Sequence, residues 1–171
     1  YFKKLEHHQC RTSEYTGKNG PVVASGGNEM KNPLYKAFIN AGVQAGYSET
    51  EDYNGFRQEG FGQKFMNVDN GVRASSSHAY LNKSTSRANL TVLKHTLVKR
   101  ILLEGKTAIG IECKTKGKTR IFKANKETII SAGSIGSPQL LQVSGIGPAD
   151  VLGRAGINLL HDLPGVGENL Q

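Results

Sequence analysis

The sequence predicts an α/β chain, and three stretches carry that expectation. Residues 32–46, "NPLYKAFINAGVQAG", place apolar residues at helical spacing. From Leu90 to Ala124 the period becomes extended, in runs separated by glycine-containing turns. Residues 126–133, "KETIISAG", then form a nearly all-apolar run of the kind buried on both faces of a parallel sheet.

Taken in order, "YFKKLEHH" at the start reads as a polar helix carrying His7 and His8. "NGPVVASGG" at 19–27 is short, β-capable and bounded by glycine, which suits an edge strand or a loop. The helix over 33–45 has Asn32 as its cap and Pro33 in its first turn; Leu34, Ala37, Phe38, Ala41 and Ala45 share its apolar face, and Gly46 stops it. Asn54-Gly55 and Asn70-Gly71 are turn signals, compatible with two short strands or an irregular segment. Ser75 to Ser77 offer caps for a short helix with Ala79, Tyr80 and Leu81.

The extended region divides into "LTVLKHT", "LVKRILLE", "TAIGIECKT" and "TRIFKA", a β-meander with turns at Gly105-Lys106 and Lys116-Gly117-Lys118. After the apolar run, Ser137 caps and Pro138 opens a short helix over 139–143 that Gly145 ends. A glycine at a strand end lets a ligand approach the backbone. A free helix N-terminus beside it offers N–H donors and the positive end of a dipole. An ordinary strand-turn-helix corner is the alternative. Composition changes near residue 88, from mixed and loop-rich to α/β.

The 171 residues carry 22 Lys plus Arg against 14 Asp plus Glu, a net charge of +8. Ten of the basic residues lie between Lys94 and Lys126, mostly at strand and turn positions. They lack the aromatic interleaving that stacks single-stranded bases, so a solvated hairpin face is expected and nucleic acid is not. No segment approaches the roughly 18 consecutive apolar residues of a membrane span. Cys10 and Cys113 are too far apart to suggest a framework or a metal site. The sequons at Asn82 and Asn89 permit secretion, and the compartment stays open. A chain that opens without Met on a helix-like run and stops at Gln171 without a polar tail is expected to be a piece of something larger.

The run Gly133-Ser134-x-x-Ser137-Pro138-x-Leu140-Leu141-x-x-Ser144-Gly145-Ile146-Gly147 resembles a signature of the glucose-methanol-choline (GMC) oxidoreductases. "GVRASSSHAYL", "LVKRILLEGKTAIGIE" and "GINLLHDLPGVGENLQ" are similar to further segments of that family, in particular of insect glucose-dehydrogenase-like and animal choline-dehydrogenase-like members. The resemblance implies an α+β piece of a substrate domain over 1–88. It implies part of a Rossmann-like FAD-binding domain, with the β-meander, over 89–148, and a connecting helix and loop over 149–171. It implies FAD as cofactor, with Val98 meeting the adenine through its backbone and Ala132, Gly133 and Ser134 lining the cofactor. It further implies oxidation of an alcohol, sugar or choline-like CH–OH group by hydride transfer to the flavin N5, with a quinone or oxygen as electron acceptor.

The family's G-x-G-x-x-G turn and its catalytic base are not among these residues. The isolated chain is therefore expected to be inactive, and no catalytic or metal-ligating residue is assigned. Gly165 to Leu170, with Leu in the third glycine position, reads as a loop. His7, His8, His78, His95 on a strand, and His161 beside Asp162 read as surface or packing residues. Neighbouring strand residues face opposite ways, so His161-Asp162 is no base-orienter pair. No Gly-x-Ser-x-Gly elbow is present, which removes a hydrolase reading. Two alternatives remain at this point: a basic polyanion-binding module, and a family member that has lost its base.

Overall fold

A computed structural model describes residues 1–26 and 30–171, which form two compact units, Tyr1–Val92 and Leu93–Gln171. Gly27, at the end of the predicted "NGPVVASGG" segment, lies outside the described residues.

In the first unit a one-turn helix α1 (Phe2–Leu5) leads into strand β1 (Glu6–His8), which pairs in parallel with β2 (Val22–Ala24). His7 and His8 are thus on a strand, and the polar helix expected for them ends at Leu5. The peptide N–H groups of Cys10 and Arg11 both donate to His8 Nδ1, at 3.2 and 3.1 Å, and the buried ring meets Phe65 edge-on at 4.6 Å. That closed set of bonds turns the chain out of β1, and helix geometry would not allow it. Helix α2 (Pro33–Gln44) starts where expected, with the Leu34 N–H donating to Asn32 Oδ1 at 3.0 Å. Asn32→Ala should cost about 1 kcal/mol of stability, read as a lower midpoint in thermal unfolding.

The face of α2 differs from the expected one. Ile39 and Gly42 are buried, whereas Leu34 is 70% and Phe38 67% exposed. The Phe61 ring lies where a Cβ on Gly42 would be, 2.4 Å from its Cγ position, so close approach at the smallest residue sets the helix rotation. The turn at Asn70-Gly71 joins β3 (Val68–Asp69) to β4 (Val72–Arg73); φ is +47° and +80° at its two central residues, as a type I′ hairpin requires. A single π turn (Ser77–Leu81) follows, and its His78 N–H donates to Ser75 Oγ.

The second unit opens with the meander, an antiparallel sheet of order β5 (Thr96–Glu104), β6 (Thr107–Thr115) and β7 (Lys118–Lys123). Both expected turns join these strands, Gly105 with φ +58° and Lys116-Gly117 with +47° and +78°. The expected first strand, 90–96, does not form. His95 takes φ +52°, which breaks the extended run just before β5, so His95 is not a strand residue. Each of β5 and β6 carries one bulge: the register skips Lys99 between Val98↔Cys113 and Arg100↔Glu112, and Ile109 between Leu102↔Gly110 and Leu103↔Ala108. Arg100 and Glu112 also pair as ions across the strands at 2.8 Å, on the exposed face.

The run 126–132 is not a strand either. Among the described residues no strand lies beside it to complete a ladder, and Ile129 is left 76% exposed. Helix α3 (Gly133–Val143) begins earlier than expected and carries Pro138 in its interior. It ends before Gly145 (φ +88°), which leads into β8 (Ile146–Gly147), paired in parallel with β9 (His161–Asp162). Between them α4 (Ala149–Arg154) is capped by Asp162, whose Oδ1 accepts the Ala149 N–H at 3.0 Å. Leu152 is 0% exposed on α4, so Leu152→Ala should cost about 2–5 kcal/mol, seen as an earlier denaturation midpoint.

Candidate functional site

The first turn of α3 is the exposed end of the second unit. Ala132 precedes it, and Gly133 takes φ +85°, a conformation that L side chains adopt only at a cost. A Cβ built on Gly133 meets nothing within 4 Å, so the glycine is required by the backbone and leaves open space beside it. Ser137 does not cap a helix of its own. Its Oγ reaches back to accept the Ala132 N–H at 3.1 Å, which fixes the chain ahead of the helix. The reason is the position of Pro138: with no N–H it leaves the Ser134 carbonyl without a helical donor, yet its fixed φ suits helical backbone, so the helix runs through it. The N–H groups of the first turn stay free of intrahelical partners at the positive end of the dipole.

A cleft of about 560 Å³ borders this turn. Ser134, Ile135 and Pro138 line one side, and Gly167, Glu168 and Asn169 line the other. Gln142 holds the two sides together, its Nε2–H donating to the Val166 carbonyl at 3.1 Å. Residues 165–170 are a loop, as expected. Sequence reasoning did not connect them with α3; the signal available was Gln142, an amide among Leu140, Leu141 and Val143.

Of the residues singled out from sequence, Ala132, Gly133 and Ser134 are contiguous and exposed at this helix end, and Ser134 lines the cleft. Val98 is half-buried on β5, opposite the fully buried Cys113 and just before the Lys99 bulge. It is not among the residues lining the cleft. The other end of α3 is bonded to its strand: the Ile101 N–H donates to Ser144 Oγ at 2.8 Å, and that hydroxyl donates to the Leu140 carbonyl at 2.6 Å.

The first unit has a larger cavity of about 890 Å³, bordered by Arg11, Tyr15, Thr50, Glu51, Arg57 and Phe65 among others. Arg11 stacks over the Phe65 ring at 5.1 Å and pairs with Glu51 at 3.5 Å. Desolvation, with Glu14 bonded beside it, holds the Tyr15 phenol above its ordinary value. His78 faces Asp69 at 3.6 Å on an exposed surface. Among the described residues no three His, Cys, Asp or Glu side chains are grouped to hold a metal ion, and no helix is long and apolar enough to cross a membrane.

A family model described as GMC oxidoreductase matches residues 1–171. The chain belongs to the GMC oxidoreductase family. An oxygen-dependent choline dehydrogenase of Photobacterium profundum is 55% identical over 172 residues, covering all of this chain and 30% of the relative. The mitochondrial choline dehydrogenase of Homo sapiens is 48% identical over 171 residues, covering all of this chain and 29% of the relative. Among solved structures, pyridoxine 4-oxidase from Mesorbium loti superposes with a TM-score of 0.86 at 33% identity, over 95% of this chain and 32% of that one. An FAD-dependent oxidoreductase from Chaetomium thermophilum does so with 0.88 at 30% identity, over 99% and 32%. This GMC chain thus spans about a third of the length of the relatives it matches. The α/β class and the GMC resemblance read from residues 133–147 both hold, and the choline dehydrogenases fit the choline-dehydrogenase-like side of that expectation.

Proposed function

We propose that the protein to which these residues belong is an FAD-dependent oxidoreductase acting on the CH–OH group of a choline-like alcohol, with a quinone or oxygen taking the electrons. Family membership together with the open backbone at Gly133 carries this reading. Residues 1–88 contribute to the substrate domain, 89–148 to the FAD-binding domain, and 149–171 connect back. Bound FAD supplies a hydride acceptor at the flavin N5.

The residues present fit part of such a group. Gly133 has free space where a side chain would stand, and the first turn of α3 keeps N–H donors suited to a phosphate or a carbonyl-rich ring edge. Ala132, Gly133 and Ser134 would hold the cofactor there, and Val98 would offer its backbone to the adenine from β5. Their share of the chemistry is positioning. The catalytic base is sought in the rest of the protein.

The test is anaerobic flavin reduction by the full-length protein with choline, a sugar and an aryl alcohol in parallel. Bleaching of the flavin by choline at the lowest concentration supports the reading. A protein that binds FAD and is bleached by none of them is the degenerate member, and a protein that takes up no FAD overturns the proposal.

A further inference from the structure

Ser144 lies outside every residue assigned so far, and its buried hydroxyl joins two elements of the second unit. It is buried and both accepts and donates: it takes the Ile101 N–H at 2.8 Å and gives its own proton to the Leu140 carbonyl at 2.6 Å. The Ile101 N–H points away from β6, on the free edge of β5, and Ile101 sits between the two register shifts. A donor left unpaired there would be desolvated without a partner. The next residue ties the end of α3 to a different segment, because the Gly145 carbonyl accepts from both Leu160 and His161 N–H at 2.8 and 3.0 Å.

From this arrangement we infer that Ser144 is a positioning residue for the cofactor site: its hydroxyl sets the placement of β5, with Val98, relative to α3, with Ala132 to Ser134. The inference rests on the FAD reading above. Val98 is three positions from Ile101 on the same strand, with the Lys99 bulge between them. Ala132 to Ser134 stand at the far end of the helix whose last turn Ser144 grips. A ligand spanning both elements is sensitive to their relative placement, and the hydroxyl is the side-chain bond joining them. Ser144 touches no cofactor atom and is not a catalytic residue.

The experiment is titration of the flavin-free full-length protein with FAD, followed by flavin fluorescence, for the wild type and for Ser144→Ala, Ser144→Thr and Leu152→Ala. Leu152 is buried in the same unit on α4 and takes no part in this bond, and serves as the measure of plain destabilisation. Ser144→Ala is expected to weaken FAD about tenfold and Ser144→Thr to recover it to within about twofold, with Leu152→Ala lowering the melting temperature at least as far while leaving FAD affinity unchanged. Unchanged affinity in Ser144→Ala, or losses in all variants that follow melting temperature, overturns the inference while FAD binding by the wild type stands. A wild type that takes up no FAD removes the cofactor reading, and the inference with it.

Discussion

Full-length protein carrying Gly133→Val is expected to be recovered nearly free of flavin, with a melting temperature only a few degrees below the wild type. The backbone there has φ +85°, and holding a non-glycine residue in that region costs about 1–2 kcal/mol. A Cβ there meets no other part of the chain within 4 Å beyond its neighbours and its own helix backbone. On the proposed reading, the isopropyl group instead fills the space through which the cofactor would reach the backbone. A loss of about a hundredfold or more in FAD affinity is therefore expected. Gly156→Val is the control: Gly156 has φ +67° and an equally open Cβ position, but it follows α4. It should lose similar stability and keep its flavin. The ratio of flavin to protein absorbance after dialysis reads the difference, and full flavin content in Gly133→Val would reduce Gly133 to a turn residue.

Gly110→Ala should be the most destabilising single change in the meander, at about 3–5 kcal/mol. Gly110 lies on β6, the central strand, beside the Ile109 bulge, with φ +153°. An added Cβ would be 2.1 Å from the Phe122 carbonyl oxygen and 3.0 Å from Lys123 Cα. Both are backbone atoms of the paired strand β7, which yields only if the ladder opens. Gly105→Ala, at a turn with φ +58° and nothing within 4 Å, should cost about 1 kcal/mol. Denaturant unfolding of the two variants side by side measures the gap, and equal costs would mean that β7 moves aside freely.

Local rules placed the elements whose partners lie within a few residues. The Asn32 cap, the Asn70-Gly71 and Lys116-Gly117 turns, and the Gly46 and Gly145 stops need only their own backbone geometry, and all were legible. The face of α2 was misread because Leu34 and Phe38 look like core by periodicity, whereas the contact is made at Gly42, where the absence of a side chain lets Phe61 in. By sequence Pro138 reads as a helix start, its commonest place, but Ser137 and Gly133 set the start earlier.

By itself, then, the sequence determined the α/β character, the meander with its turns, and membership of the GMC family through the run from Gly133 to Gly147. Those depend on chain geometry and residue order, which are local. The tertiary structure alone decided that His8 is a strand residue consumed by backbone donors and that 126–132 forms no ladder. It alone decided that Gln142 and the 167–169 loop share a cleft with Ser134, and that one buried hydroxyl joins α3 to β5. Each of these is a matter of which donor or surface meets which acceptor or cavity in space, within three residues at His8 and across tens of residues at Gln142 and Ser144, and no hydrophobic period or turn signal encodes that pairing.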